Sequence, residues 1–249
     1  MNSVLPPKVR PVASLDATQV RTARLVLCDL DGCLVSEGRA FADAAEFVRQ
    51  CGDRFRIVSN NSTHTADALS AALRALGLNV APDHILLAGQ QTLHHLARSC
   101  PGATLALFAS AAIRAEASRL GFDLDSPRPD IVLLCRDPGF SLSRLDALTA
   151  CLSQGAAFWV ANTDRAHPGL DGRPFAETGA LLAAVRAVLG EIPFRSIGKP
   201  DPAMALAALR AAEVDAADAV FVGDNPVTDG VCAREAGVPF VHLQRKGRS

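Results

Sequence analysis

Asp29 and Asp31 stand two positions apart in the stretch LCDLDGCLV, just after an apolar run and just before a turn at Gly32. Two carboxylates this close repel, so one shifts its pKa or a cation sits between them. One of them can attack phosphorus and carry an acyl-phosphate. The other can protonate a leaving oxygen and then take a proton from attacking water. Taken alone, D-x-D-G also fits an aspartate-capped turn. Three more polar clusters after apolar runs change its meaning: Ser59–Asn61 in IVSNNST, Lys199 in SIGKPDP, and Asp224–Asp229 in VFVGDNPVTDG.

Each cluster suits a separate part of one reaction. Asp224 could complete an oxygen-rich site with Asp29, and magnesium favours such hard ligands. The ion's charge would let an anionic carboxylate approach an anionic phosphate. Asp229, five residues on, is expected to hold a metal-bound water or Lys199 and not the ion itself. Ser59 and Asn60 offer hydroxyl and amide donors where a helix begins, which suits phosphate oxygens, although both residues also favour helix caps. Lys199 supplies a point positive charge for the phosphoryl group. No Ser or Thr follows it and no glycine-rich loop precedes it, so it is not a P-loop lysine.

The elements that must position these groups are legible from periodicity. RLVLC and RFRIVS read as buried strands, with a helix around Phe41, Phe47 and Val48 between them. Leu69, Leu73 and Leu76 mark a helix that Gly77 stops. FRSIGKP is expected to be a short strand ending at Lys199, DPAMALAALRAAEV a helix opened by Pro202, AVFVGDN a strand, TDGVCAREAG a helix and VPFVHLQ a last strand. Strand and helix alternate throughout, which argues for an α/β protein with a parallel sheet. Ligands then gather outside the carboxyl ends of the strands, and all four clusters would meet there. The middle of the chain repeats the alternation from about Pro82 to about Asn162 and could form a compact α/β unit of its own.

At this level of detail the chain resembles the haloacid dehalogenase superfamily, in its phosphatase branch. The motifs are D-x-D-G at Asp29–Gly32, the strand-end Ser59, Lys199, and the acidic pair Asp224 and Asp229, in the family's order. SNNST, VANTD followed by Pro168, GKPDP and GDNPVTD are similar to the NagD-like, 4-nitrophenyl phosphatase-like and pyridoxal phosphatase-like subgroup. The resemblance implies a Rossmann-like parallel-sheet core over residues 1–81 and 163–249, with an α/β cap inserted at residues 82–162. It implies Mg2+ held by Asp29, the main-chain carbonyl of Asp31, and Asp224, with Asn225 and Asp229 close behind. It also implies a small phosphate monoester bound by Ser59, Asn60, Asn61, Lys199 and Asp164, and a homodimer through the cap. Cys33, after the D-x-D-G, departs from the Val or Thr the subgroup often carries.

Composition removes other classes. Net charge over 249 residues is −1, which leaves no basic footprint for nucleic acid. No apolar run nears the ~18 residues of a membrane helix, and prolines break the N-terminal stretch. The seven scattered cysteines form no C-x-x-C pair, so reduced thiols in a cytoplasmic protein are expected, not a zinc site or disulfide framework. The basic tail Arg245, Lys246 and Arg248 is expected to be a solvated end. His94 and His95 are adjacent on a helix and point about 100° apart, a poor metal pair. His64 and His167 could line a substrate pocket, and Trp159 is expected in the core. Rival readings are a phosphotransferase or phosphomutase with the same aspartates, an inactive phosphate-binding regulatory protein, and a metal-independent dehalogenase.

Overall fold

The computed structural model describes residues 11–169 and 173–245. In chain order the strands are β1 (Leu25–Cys28), β2 (Val35–Ser36), β3 (Arg39–Ala40), β4 (Phe55–Ser59), β5 (Ile85–Leu87), β6 (Leu105–Phe108), β7 (Ile131–Leu134), β8 (Ala157–Val160), β9 (Ala166–Pro168), β10 (Pro174–Ala176), β11 (Ala219–Gly223) and β12 (Phe240–His242). The α-helices are α1 (Ala44–Cys51), α2 (Ala66–Ala75), α3 (Ala88–Ser99), α4 (Ala111–Arg119), α5 (Leu142–Ser153), α6 (Thr178–Leu189), α7 (Ala203–Ala212) and α8 (Asp229–Glu235).

The large sheet runs β12-β11-β1-β4-β5, with every neighbouring pair parallel. Its strands are apolar on both faces because helices cover both faces. Along β1, Val26 and Cys28 enter one core cluster with Phe47, Leu69 and Leu73, while Leu25 and Leu27 enter the other with Met204, Leu209 and Phe221. This is the two-residue alternation of a strand. Strand order reverses between β1 and β11, which makes the carboxyl edge of that pair the switch point where ligands bind. The hairpin β2–β3 rises directly from the turn after β1.

A second sheet, β6-β7-β8, is also parallel and also buried on both faces. Leu133 and Trp159 pack on one side, and Val132, Leu134, Phe158 and Val160 on the other. Trp159 is therefore a core residue. Polar caps begin the helices around this unit: the side chains of Ser110 and Ser141 accept from Ile113 N and Arg144 N.

Four expectations need correction. β5 pairs with β4 as the edge of the large sheet, so the residues just after 82 belong with that sheet, and the small unit's own strands begin at Leu105. Phe41 precedes α1, which starts only at Ala44. FRSIGKP is not a strand. Arg195 makes a single bridge to Trp159, and the chain then leaves the small sheet to cross toward the large one, so Lys199 sits in a turn. Arg245 is not solvated: its guanidinium grips both carboxylate oxygens of Asp43 and lies 3.8 Å from the centre of the Phe41 ring. Lys246 and Arg248 lie outside the described residues.

Candidate active site

β1, β4 and β11 deliver Asp29, Ser59 and Asp224 to the same sheet edge, as their strand-end positions require. They line one cleft of about 950 Å3 with Asp31, Asn60, Asn61, Asp164, Lys199 and Asn225. Every predicted site residue except Asp229 borders this cleft, and Asp229 lies directly beneath it.

At the cleft floor, Lys199 Nζ sits 2.6 Å from Asp29 Oδ1 and 2.6 Å from Asp229 Oδ1. Lys199 is 2% exposed and Asp229 fully buried. Asp229 opens α8, yet its carboxylate folds back to the end of β11 and accepts from Asn225 N. Gly223 makes the approach possible, because a Cβ there would lie 2.4 Å from Asp229 Oδ2. Burial works to discharge Lys199, but Asp229 and then Asp29 outweigh it, so its pKa stands well above the ordinary lysine value. Burial raises Asp229, and Lys199 pulls it back. Asp229 and Lys199 thus form a buried ion pair beneath the cleft.

Lys199 is held in place by a residue 139 positions away in the chain, not by a strand. Its backbone N donates to Asn60 Oδ1 at 2.7 Å, and Asn60 Nδ2 donates to Lys199 O and to Asp164 Oδ2, both at 2.9 Å. Asn60 has only two amide hydrogens, and both are committed. The phosphate contact expected of its side chain is replaced by bracing of the Lys199 turn. Gly198 allows the turn to close, since a Cβ there would stand 2.3 Å from Ala161 O. Asn61 Oδ1 accepts from Thr63 N and His64 N and so caps its own loop, while Ser59 Oγ accepts from Asn61 N. Asn225 does likewise for Val227 N and Thr228 N.

Asp31 opens to the cleft, and its carboxyl is raised to about 6, by partial loss of hydration first and by the charge of Asp29 second. Contact with cleft water tempers the first cause and leaves the second. Asp164 is raised by burial, with Asn60 and Lys199 opposing. One carboxylate oxygen each of Asp29 and Asp224, with Cys33 Sγ, lie within 4.8 Å of one another. Burial and the adjacent Cys28 hold the Cys33 thiol far above its ordinary pKa, so it is a neutral thiol and no hard-ion ligand. Two facing carboxylates at a switch point are a donor set that fits magnesium.

Four charged residues at the cleft were not singled out from sequence: Glu37 in the β2–β3 turn, Arg136 after β7, Arg165 before β9, and Glu177 before α6. Glu177 accepts from His167 Nδ1 at 2.8 Å and stands 3.4 Å from Arg136 Nε. His64 and His167 do line the cleft. Arg136 follows the apolar run IVLLC just as Asp29 follows RLVLC, so the strand-end rule that found the aspartates would have found it too.

Comparison with known proteins gives the family. A haloacid dehalogenase-like hydrolase model matches residues 26–123, and a second HAD-hydrolase-like model matches residues 196–246. The chain is 30% identical over 226 residues to a dihydroxyacetone phosphatase of Corynebacterium glutamicum, covering 90% of this chain and 81% of that one. It is 26% identical to the ribonucleotide monophosphatase NagD of Escherichia coli, covering 88% and 87%. Among solved structures, it is similar to a glycerol phosphate phosphatase from Mycobacterium tuberculosis in complex with magnesium, with TM-score 0.80, 28% identity and coverage of 89% and 67%. The chain belongs to the haloacid dehalogenase-like hydrolases, in their NagD-like phosphatase branch, and is an enzyme. None of its described helices is long and apolar enough to cross a membrane.

Proposed function

We propose that the chain hydrolyses small phosphate monoesters by way of an aspartyl-phosphate on Asp29, with Mg2+ as its cofactor. The observation that carries this reading is Lys199 held at 2.6 Å from both Asp29 and Asp229 on the floor of a cleft that Asp31 and Asp224 also line. Asp29, Asp224 and the main-chain carbonyl of Asp31 would hold the ion. When bound, it would neutralise charge on the phosphoryl oxygens.

An Asp29 carboxylate oxygen forms a bond to phosphorus as the ester oxygen–phosphorus bond breaks. Asp31, protonated below about pH 6, gives its proton to the leaving oxygen. It then takes a proton from water, whose oxygen attacks the same phosphorus and frees Asp29. Lys199 keeps its charge throughout and faces the phosphoryl oxygens that gain charge. Ser59 stands beside that group at the end of β4. The three-stranded unit acts as the cap, and its size favours small esters over phosphoproteins. The relatives named dihydroxyacetone phosphatase and glycerol phosphate phosphatase point to the same scale of substrate. A homodimer through the cap and a cytoplasmic location belong to this reading, the latter supported by seven free cysteines.

The test is phosphate release from a panel of small esters, with magnesium and with chelator. Release that needs the ion and no added acceptor supports the proposal. Transfer of the phosphoryl group to an added acceptor alcohol, with no phosphate released in its absence, overturns it in favour of a transferase.

A further inference from the structure

We infer that Arg136 selects phosphate esters whose leaving group carries a second oxyanion, a carboxylate or a further phosphate. This inference rests on the monoesterase reading above and deepens it. Arg136 stands at the end of β7, in the cap unit, yet it borders the cleft that contains Asp29. Its backbone is pinned to the opposite side: Arg136 N donates to Ser62 Oγ at 2.9 Å, in the loop that carries Ser59–Asn61. Its guanidinium is pinned only at the base, where Nε donates to Ala176 O at 2.9 Å and faces Glu177 at 3.4 Å. Among the described residues the two Nη groups have no such partner, so four N–H donors remain in a fixed fork. That fork matches a carboxylate or phosphate edge-on.

The surroundings leave the charge in force. Glu177 is shared with His167, so it does not neutralise Arg136 alone. The positive field of Arg136 is felt at His64, whose pKa is lowered by burial first and by Arg136 second. Arg136 also borders a neighbouring cavity of about 540 Å3 with Glu37, His167, Arg173 and Phe175. Apolar lining in the main cleft is limited to Ala166, Pro200, Pro226 and Val227, so a polar leaving group is the one that fits.

The experiment measures binding of three matched esters: glycerol 3-phosphate, 3-phosphoglycerate and propanediol bisphosphate. Calorimetry on magnesium-loaded Asp29→Asn protein reads affinity without turnover, and wild-type phosphate release is measured in parallel. The expected result is tighter binding of at least one anion-bearing ester than of glycerol 3-phosphate. Adding Arg136→Gln weakens that ester about 10- to 100-fold, far more than the neutral one. Arg136→Lys keeps part of the preference, because charge remains while the fork is lost. The carboxylate and bisphosphate arms identify which anion is read. Equal weakening of all three esters, or no preference in the parent protein, overturns the inference. A preference in binding without any phosphate release sinks the monoesterase reading and leaves this one standing.

Discussion

Two clusters of carboxylate and cation, one around Lys199 and one around Glu116, are tuned in opposite directions. At the cleft floor, Lys199 lies between Asp29 and Asp229, all three buried. In the second cluster, Glu116 on α4 accepts from Arg119, His94 and Gln90, and Gln90 Oε1 in turn accepts from Ala66 N at the start of α2. Hydrogen bonds from Arg119 lead in the second cluster and hold Glu116 at about 2. Burial leads in the first and lifts Asp229 and Asp31. Both places pair carboxylates with cationic side chains. The difference is donor supply: Glu116 is saturated and serves to tie three helices together, whereas the floor carries one cation for several carboxylates and is left with charge to use.

Breaking the floor has the largest consequence. Asp29→Asn should lower kcat by about 10^4-fold or more while the fold persists, because a nucleophilic oxygen is lost with almost no change of volume. Phosphate release and circular dichroism together check both halves. Lys199→Met should destabilise the protein by about 3–5 kcal/mol, since it strands two buried carboxylates. Adding Asp229→Asn should recover part of that loss in thermal melts, and failure to recover any would mean the triad is not coupled.

Asp31 sharpens the contrast through pH. It must be protonated to act as the acid, and it is raised to about 6, so kcat/KM for an alkyl phosphate should fall as pH rises through that value. Asp31→Asn should remove this limb and cost about 10^2- to 10^4-fold. 4-Nitrophenyl phosphate, whose leaving group needs no proton, should be spared most of it.

Glu116→Gln should touch stability and leave the chemistry intact, at a cost of about 1–3 kcal/mol at neutral pH. Its pKa is depressed by folding, so its contribution is complete above the unfolded value of about 4.5 and fades as pH falls toward about 2. Melting curves of the two proteins should therefore converge in acid. A gap that persists at pH 2 would show that packing, not charge, is what the variant loses.

The sequence alone determined the chemistry of the floor and the class of fold. Asp29, Ser59 and Asp224 were legible because each follows a strand whose apolar run is unmistakable, and strand ends in a parallel sheet share an edge. Asp31 was legible because D-x-D-G stands with three more polar clusters after apolar runs; alone it also fits a capped turn. Tertiary structure alone decided the rest. The Lys199 position depends on a turn braced by Asn60, 139 residues away in the chain, and no local pattern encodes that contact. Arg245 looked like a solvated tail until Asp43, 202 residues earlier, came to meet it. Arg136 stands after an apolar run that marks a strand end, but only the tertiary packing, with its backbone N on Ser62 Oγ, brings its fork to the cleft. Periodicity reports which face of an element is buried, not what the opposite element presents to it, and long-range polar partners are chosen by the latter.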